Sequence, residues 1–182
     1  PAVLGDSVNF TTAPQYYDGQ LRVDWRRGEG DRVSALAMTS FDLLSLISSD
    51  FDPNEPESNG GFDNETSFSK LITQWSKASG KWTNRVVGAL GTSGFRIEIG
   101  DDRYIKVRRY SAEVRDDLAW APSRTLKVRA GGELRYDPRE VNVKFPQQPP
   151  EGQPPPSNFS TLPLIETKLE FANSVAGAYV AA

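Results

Sequence analysis

The chain contains neither histidine nor cysteine in its 182 residues, so its carboxylates and basic groups are the side chains with chemical potential. Histidine is the side chain that most readily exchanges protons near neutral pH, and cysteine supplies the thiolate nucleophile. Without them, this chain can build neither a histidine-based catalytic triad nor a zinc site of histidine and cysteine. Carboxylate chemistry, binding of hard cations and surface contact remain.

Asp50, Asp52 and Asp63 are candidate calcium ligands, because residues 50–69 include no basic side chain. Ca²⁺ binds six to eight oxygen ligands, and a loop rich in carboxylates can supply several of them. The Asp-x-Asp-x-Asn spacing of residues 50–54 matches the first positions of an EF-hand loop, but the glycine and glutamate that follow in such a loop are missing. We therefore expect a solvated acidic loop without a cofactor. Calcium binding by this loop is the alternative.

A basic stretch follows the acidic one, which makes the chain electrically lopsided. Residues 81–130 hold eleven Lys and Arg against six Asp and Glu, whereas residues 1–80 hold six against twelve. Five of these basic residues are candidates for contact with nucleic acid or with the acidic loop of a neighbouring copy: Arg103, Lys106, Arg108, Arg109 and Arg115. Tyr104 and Tyr110 lie among them and could stack on bases. An ordinary outward strand face, paired with nearby acids, is the simpler interpretation.

Two other constellations give alternative functions. Exposed Trp and Tyr side chains could bind sugar rings, although such residues usually fill cores or anchor interfaces. Two carboxylates suffice for a glycoside hydrolase, but no spacing marks such a pair among the 24 acids. The glycine-rich segment 88–94 lacks the ending of a phosphate-binding loop and predicts a bend or a hairpin loop. We predict that the chain is not an enzyme.

These residues are positioned mainly by strands. Alternating apolar and polar residues predict a strand over 20–26, and a hairpin with its turn at residues 100–102 joins strands over 95–99 and 104–110. Further strands are predicted over 82–90, 124–130, 140–145 and 162–171, and residues 33–39 predict either another strand or the start of a helix. Helical spacing of apolar residues predicts two short helices, over 40–47 and 68–77.

Residues 146–163 are rich in proline, which favours an extended arm outside any sheet interior. The arm residues expected to contact a neighbour are Pro149, Pro154, Pro155 and Phe159. We predict a β-rich domain over 1–145 with an extended N-terminal lead-in, followed by the arm and a terminal strand over 146–182. The expected fold is mainly β: an antiparallel β-sandwich or a jelly-roll-like barrel with two short helices and an extended proline-rich C-terminal arm.

Together these features favour a structural subunit that self-assembles, most naturally a capsid, coat or phage structural protein of a virion. Its expected partners are copies of itself, with genome nucleic acid or another virion protein as further partners. The mainly apolar stretch around Leu43 to Ile47 is too short to span a bilayer, so we expect no membrane partner. No secretion signal is seen, which predicts synthesis in the cytosol, with a virion as the destination if the protein is viral. A carbohydrate-binding or adhesive β-sandwich is the second hypothesis, and a small glycoside hydrolase with two carboxylates is the third.

Overall fold

The computed structural model describes residues 10–12, 14–48, 61–100, 102–147 and 163–182, and these residues form one antiparallel sheet. Its strands are β1 (Phe10–Thr12), β2 (Gln15–Gly28), β3 (Asp31–Ser48), β4 (Phe62–Ser79), β5 (Trp82–Ile99), β6 (Arg103–Trp120), β7 (Val128–Pro146) and β8 (Leu164–Ala181). Most of them are 18 residues long, about three times the usual strand length. The prediction of a mainly β chain is confirmed.

From β2 to β8 the strands form a meander in which each pairs with its neighbours in sequence. β1 and β2 both pair with β3 at one edge, and β8 forms the other edge beyond β7. From β2 onward, successive strands run in opposite directions, so the sheet has two ends, which we call the Gly30 end and the Gly100 end after a turn glycine at each. Because five strands in alternating order lie between β2 and β8, these two edge strands run in the same direction, toward the Gly30 end.

The sheet has two faces, because successive side chains of a strand point to opposite sides. Residues paired across the sheet share a face, and we call the face that carries Trp25, Val33, Trp75 and Val86 the first face. In the described part of the chain no second layer covers either face. There, Ala89, which is 9% exposed, is the only apolar residue that qualifies as buried.

The two helices expected over 40–47 and 68–77 are wrong, because both segments lie within strands, β3 and β4. In β4, Phe68 and Ile72 lie on the second face, whereas Leu71 and Trp75 lie on the first. Apolar side chains on both faces of a strand produce three- and four-residue spacings that imitate one stripe of a helix. The described residues form no helix that is long and apolar enough to cross a bilayer.

The expected sandwich or jelly roll is also not supported, because the described residues form a single sheet rather than two packed sheets. Such folds bury the inner faces of two sheets against each other, and here both faces are open. β8 pairs with β7 from Pro146 to Arg129, so the predicted C-terminal strand belongs to the same sheet as the rest. The candidate arm residues 149, 154, 155 and 159 lie outside the described residues.

Two strands run through glycines that were expected to interrupt them. β5 continues through the segment 88–94, and β7 continues through Gly131 and Gly132. These glycines make room for their neighbours: a Cβ atom on Gly91 would lie 2.8 Å from Ser111 Oγ, and one on Gly131 would lie 2.6 Å from the ring of Tyr179. The hairpin predicted around residues 100–102 is confirmed, with Ile99 paired to Arg103.

The turn glycines yield a stability prediction. Gly30 has a φ of 70°, and its carbonyl accepts a hydrogen bond from the Ala78 amide at 2.8 Å. A Cβ atom there would lie 2.5 Å from the Ala78 carbonyl oxygen, whereas one on Gly80, with a φ of 57°, would meet nothing within 4 Å. We expect Gly80→Ala to lower the free energy of unfolding by about 1–2 kcal/mol through backbone strain alone, and Gly30→Ala to lower it further.

The measurement is the midpoint of urea unfolding, followed by tryptophan fluorescence for the wild type and the two variants. Equal midpoints for Gly30→Ala and Gly80→Ala would contradict the close approach of the Gly30 turn to β4.

Candidate functional site

An apolar band crosses the first face from one edge of the sheet to the other. Its members from β2 to β4 are Leu21, Val23, Trp25, Val33, Ala35, Ala37, Leu71 and Trp75. Its members from β5 to β8 are Trp82, Val86, Leu90, Ala112, Val114, Leu118, Trp120, Val128, Ala130, Leu134, Tyr136, Ala172, Ala176, Ala178 and Val180. Many of the large ones are well exposed, for example Leu21 at 66% and Leu90 at 60%. A contiguous apolar surface of this extent is unusual for a face that meets water.

Aromatic side chains form both boundaries of the apolar band. All four tryptophans of the chain lie on the first face at the boundary nearest the Gly30 end: Trp25, Trp75, Trp82 and Trp120. The rings of Trp82 and Trp120 stack with centroids 5.6 Å apart. The opposite boundary carries Tyr17, Phe41, Tyr110 and Tyr136. This arrangement places amphipathic rings where an apolar layer gives way to a polar one.

Polar groups lie at or near the tryptophan boundary. The indole nitrogen of Trp75 donates a hydrogen bond to Asp31 Oδ1 at 2.9 Å, while its ring stays in the band. Asp116 interrupts the band on β6, where its Oδ1 accepts a hydrogen bond from Asn84 Nδ2 at 2.8 Å. The first face therefore becomes polar toward the Gly30 end.

On the other side of the band, toward the Gly100 end, the first face carries an ion-pair cluster. Glu98 lies 2.5 Å from Arg96 and 3.1 Å from Lys106, and Lys168 lies 3.1 Å from Glu140 and 2.8 Å from Glu170. Arg96 also approaches Glu65 at 3.9 Å, and Tyr104 donates a hydrogen bond to Glu166 at 2.7 Å. We use the name ion-pair cluster for these nine residues.

The ion-pair cluster shifts the titration of its members. Burial opposes ionisation of Glu98, but hydrogen bonds from Arg96 and Lys106 outweigh it and hold the pKa of Glu98 below its ordinary value. Hydrogen bonds from Tyr104 and then from Asn142 lower the pKa of Glu166. The same hydrogen bond to Glu166 raises the pKa of Tyr104, against a smaller opposing effect of Asn142. Lys168 lowers the pKa of Glu170 through their hydrogen bond. These shifts favour the ionised form of the three carboxyl groups Glu98, Glu166 and Glu170.

Behind the apolar band, the second face carries charged side chains among apolar ones such as Leu36, Ile72 and Val175. Behind the band it carries a ladder of ion pairs: Arg22 with Asp24 at 2.8 Å, Arg115 with Asp117 at 3.1 Å, and Asp137 between Arg109 at 3.0 Å and Arg135 at 2.7 Å. Tyr179 also donates a hydrogen bond to Asp117. Asp137 is only 4% exposed and is the one buried charged residue in the described part of the chain.

Toward the Gly100 end the second face is apolar instead, behind the ion-pair cluster. Its apolar residues there are Phe62, Phe95, Ile97, Ile99, Ile105, Val107, Val141, Val143, Phe145, Ile165, Leu169 and Phe171. The sheet thus exchanges its apolar side halfway along its length.

The structure separates the basic residues that the sequence analysis grouped together. Lys106 and Arg108 lie on the first face with Tyr104 and Tyr110, whereas Arg103, Arg109 and Arg115 lie on the second. Lys106 Nζ also lies 4.1 Å from the centroid of the Tyr104 ring.

Of the candidate calcium ligands, Asp50 and Asp52 lie outside the described residues, and Asp63 lies on the first face opposite Glu98. Within the described ranges, no three acidic side chains are grouped closely enough to hold a metal ion. Calcium binding stays a prediction.

Sequence reasoning missed the apolar band. The part of the band that shows in the local sequence is the alternation of Leu21, Val23 and Trp25 with polar residues, which correctly predicted a strand. The band itself depends on the register that aligns this segment with residues of six other strands. Comparison with family models, with curated proteins and with solved structures gives no match to the chain.

The pKa shift of Glu98 yields a pH prediction. A carboxyl group whose pKa is lowered by folding stabilises the fold above its ordinary value of 4.5, and this contribution is lost as the pH falls through the lowered value. We expect acidification from about pH 6 to about pH 3 to lower the urea midpoint of the wild type more than that of Glu98→Gln. The control Glu29→Gln removes a charge of the same sign from the turn at the Gly30 end, and its urea midpoint should fall with pH as much as that of the wild type. A wild type and a Glu98→Gln variant with the same acid dependence would refute the role of Glu98.

Proposed function

We propose that this sheet is part of a membrane protein and crosses a lipid bilayer, with the apolar band of the first face against the hydrocarbon. The observation that carries the proposal is the position of the four tryptophans at one boundary of the band, with tyrosines and Phe41 at the other. Trp and Tyr concentrate at both surfaces of a membrane, because one part of the ring prefers lipid and another prefers water.

The dimensions of the band agree with this proposal. A strand that crosses a bilayer at a tilt needs about 9–11 residues. On β2 the band runs from Tyr17 to Trp25, nine residues, and on β6 from Tyr110 to Trp120, eleven residues. The strands extend beyond the band at the Gly100 end, where the first face carries the charged ion-pair cluster that suits a surrounding of water.

The energetics of the first face also favour a lipid partner. Burying a large apolar side chain stabilises a protein by about 1.5–3 kcal/mol, and the described residues bury almost none of theirs against one another. Hydrocarbon around the band would supply this stabilisation for every strand at once. Alternation of an apolar first face with a charged second face is the pattern of strands that have lipid on one side and water on the other.

Within a membrane the two edges of the sheet need partners. Backbone groups that face hydrocarbon without a hydrogen bond cost several kcal/mol each. The outer backbone groups of β2 and β8 must therefore pair with further strands. Because β2 and β8 run in the same direction, a strand antiparallel to both is required to continue the pattern.

This proposal differs from the sequence-based expectation of no membrane partner. Self-assembly into a virion stays a prediction, and the two open edges are the observation that favours assembly of some kind. Carbohydrate binding and the two-carboxylate hydrolase stay predictions too.

The position of the tryptophans can be measured in vesicles whose lipids carry bromine on the acyl chain. We expect bromine near the headgroup to quench tryptophan fluorescence more than bromine near the chain terminus, because all four indoles lie at one boundary of the band. Fluorescence that is unaffected by bromine at either depth, in protein that floats with the vesicles, would overturn the proposal.

Two neighbouring exposed positions provide a matched pair of substitutions. Leu134 is 59% exposed on the first face, and Val175 is 52% exposed on the second. In a bilayer, Leu134→Arg should lower the free energy of unfolding by about 2–4 kcal/mol, because it places a charge in hydrocarbon. Val175→Arg lies opposite Arg135 and should cost about 1 kcal/mol or less through repulsion. Urea unfolding from vesicles measures both values, and equal small costs would contradict a lipid-facing first face.

A further inference from the structure

The second face behind the apolar band has more basic than acidic residues. Ten basic side chains lie there: Arg22, Arg26, Arg32, Lys70, Arg85, Arg109, Arg115, Arg129, Arg135 and Arg139. Six acidic side chains accompany them: Asp18, Asp24, Glu113, Asp117, Glu133 and Asp137. The excess is four positive charges, although the whole chain has a formal net charge of −3.

Ion pairs leave several of these cations unneutralised. Asp24, Asp117 and Asp137 take up Arg22, Arg115, Arg109 and Arg135. Arg85 donates a hydrogen bond to the neutral Gln74 at 2.8 Å, and Arg139 lies over the ring of Phe171. No carboxylate among the described residues approaches Arg26, Arg32, Lys70 or Arg129 within 4.0 Å.

Arginines also face each other across neighbouring strands. Arg26 is paired with Arg32 between β2 and β3, and Arg109 is paired with Arg139 between β6 and β7. Like charges in directly opposed positions destabilise a sheet unless water or an anion screens them. A groove of about 380 Å³ runs beside Arg26 and Arg32, and its wall also includes the ion pair of Arg22 with Asp24 and the polar side chains of Ser34, Gln74 and Ser76.

We infer that the second face, at the depth of the apolar band, lines a water-filled space that attracts small anions, with the groove beside Arg26 and Arg32 as a favoured position. This inference rests on the proposed membrane location. Charged side chains at membrane depth face water or partners rather than lipid, so the ion-pair ladder requires a hydrated side. In such a confined space the unneutralised arginines raise the local concentration of anions and lower that of cations.

Reaction of single cysteines with charged thiol reagents tests the inference, because the chain has no cysteine of its own. Ser34→Cys places a thiol on the second face beside the groove, and Ala35→Cys places one on the first face at the same depth. The probes are a negatively and a positively charged methanethiosulfonate of similar size. They are applied to the full chain in vesicles, and their rates are normalised to those of a free thiol.

The expected result is that Ser34→Cys reacts with both reagents, at least about threefold faster with the anionic one, and that Ala35→Cys is protected from both. Added salt should reduce the preference, because it screens the arginines. Arg26→Gln combined with Arg32→Gln should reduce it too, whereas Lys77→Gln, which removes a charge from the first face, should leave it unchanged.

The other outcomes separate the two proposals. Equal normalised rates at Ser34→Cys, or protection of Ser34→Cys from both reagents, would overturn the anion-attracting space and leave the membrane location intact. Rapid reaction of Ala35→Cys with both reagents would overturn the membrane location, and with it the inference.

Discussion

The alternation of side chains along a strand is the constraint on which this structure depends. Successive side chains of a strand point to opposite faces, and the register of the hydrogen-bonded strands aligns the apolar band on one face and most of the charged residues behind it on the other. Because the apolar side changes from the first face to the second halfway along the strands, a single covering layer on one side would leave half of the apolar surface in water. The fold is therefore held by its backbone ladder, and its apolar surfaces are left to the surroundings.

The proposed membrane location would resolve this arrangement for one half of the sheet. Hydrocarbon would cover the apolar band and end at its aromatic boundaries, and the ion pairs of the second face would meet water on the opposite side. In the other half the ion-pair cluster lies on the first face, like the band, and the apolar residues lie on the second face. Ion pairs such as Arg96 with Glu98 are partly exposed to solvent, so their desolvation costs little. Asp137 is the most buried of the described charges, and two arginines compensate for its burial.

Sequence reasoning succeeded where the pattern is local. The turn at residues 100–102 and the alternation of Leu21, Val23 and Trp25 predicted strands that the structure contains. It failed where apolar residues change face within a strand, since Phe68 and Leu71 are three residues apart and lie on opposite sides, a spacing that a helix would place on one side. Sequence reasoning also failed to predict that the strands continue through Gly91 and Gly131. These glycines lack a side chain that would collide with Ser111 and Tyr179 of the neighbouring strands. The apolar band and the excess of basic residues on the second face both depend on the register between distant segments, which no local spacing reveals.

The meander has a consequence for how the chain reaches its native state. From β2 to β8, every strand pair joins segments that follow one another in sequence, so the sheet can grow one strand at a time. At each stage of such growth the newest strand offers a complete row of free amide and carbonyl groups to any passing chain. Each newly formed edge is therefore open to edge-to-edge aggregation until the next strand pairs with it.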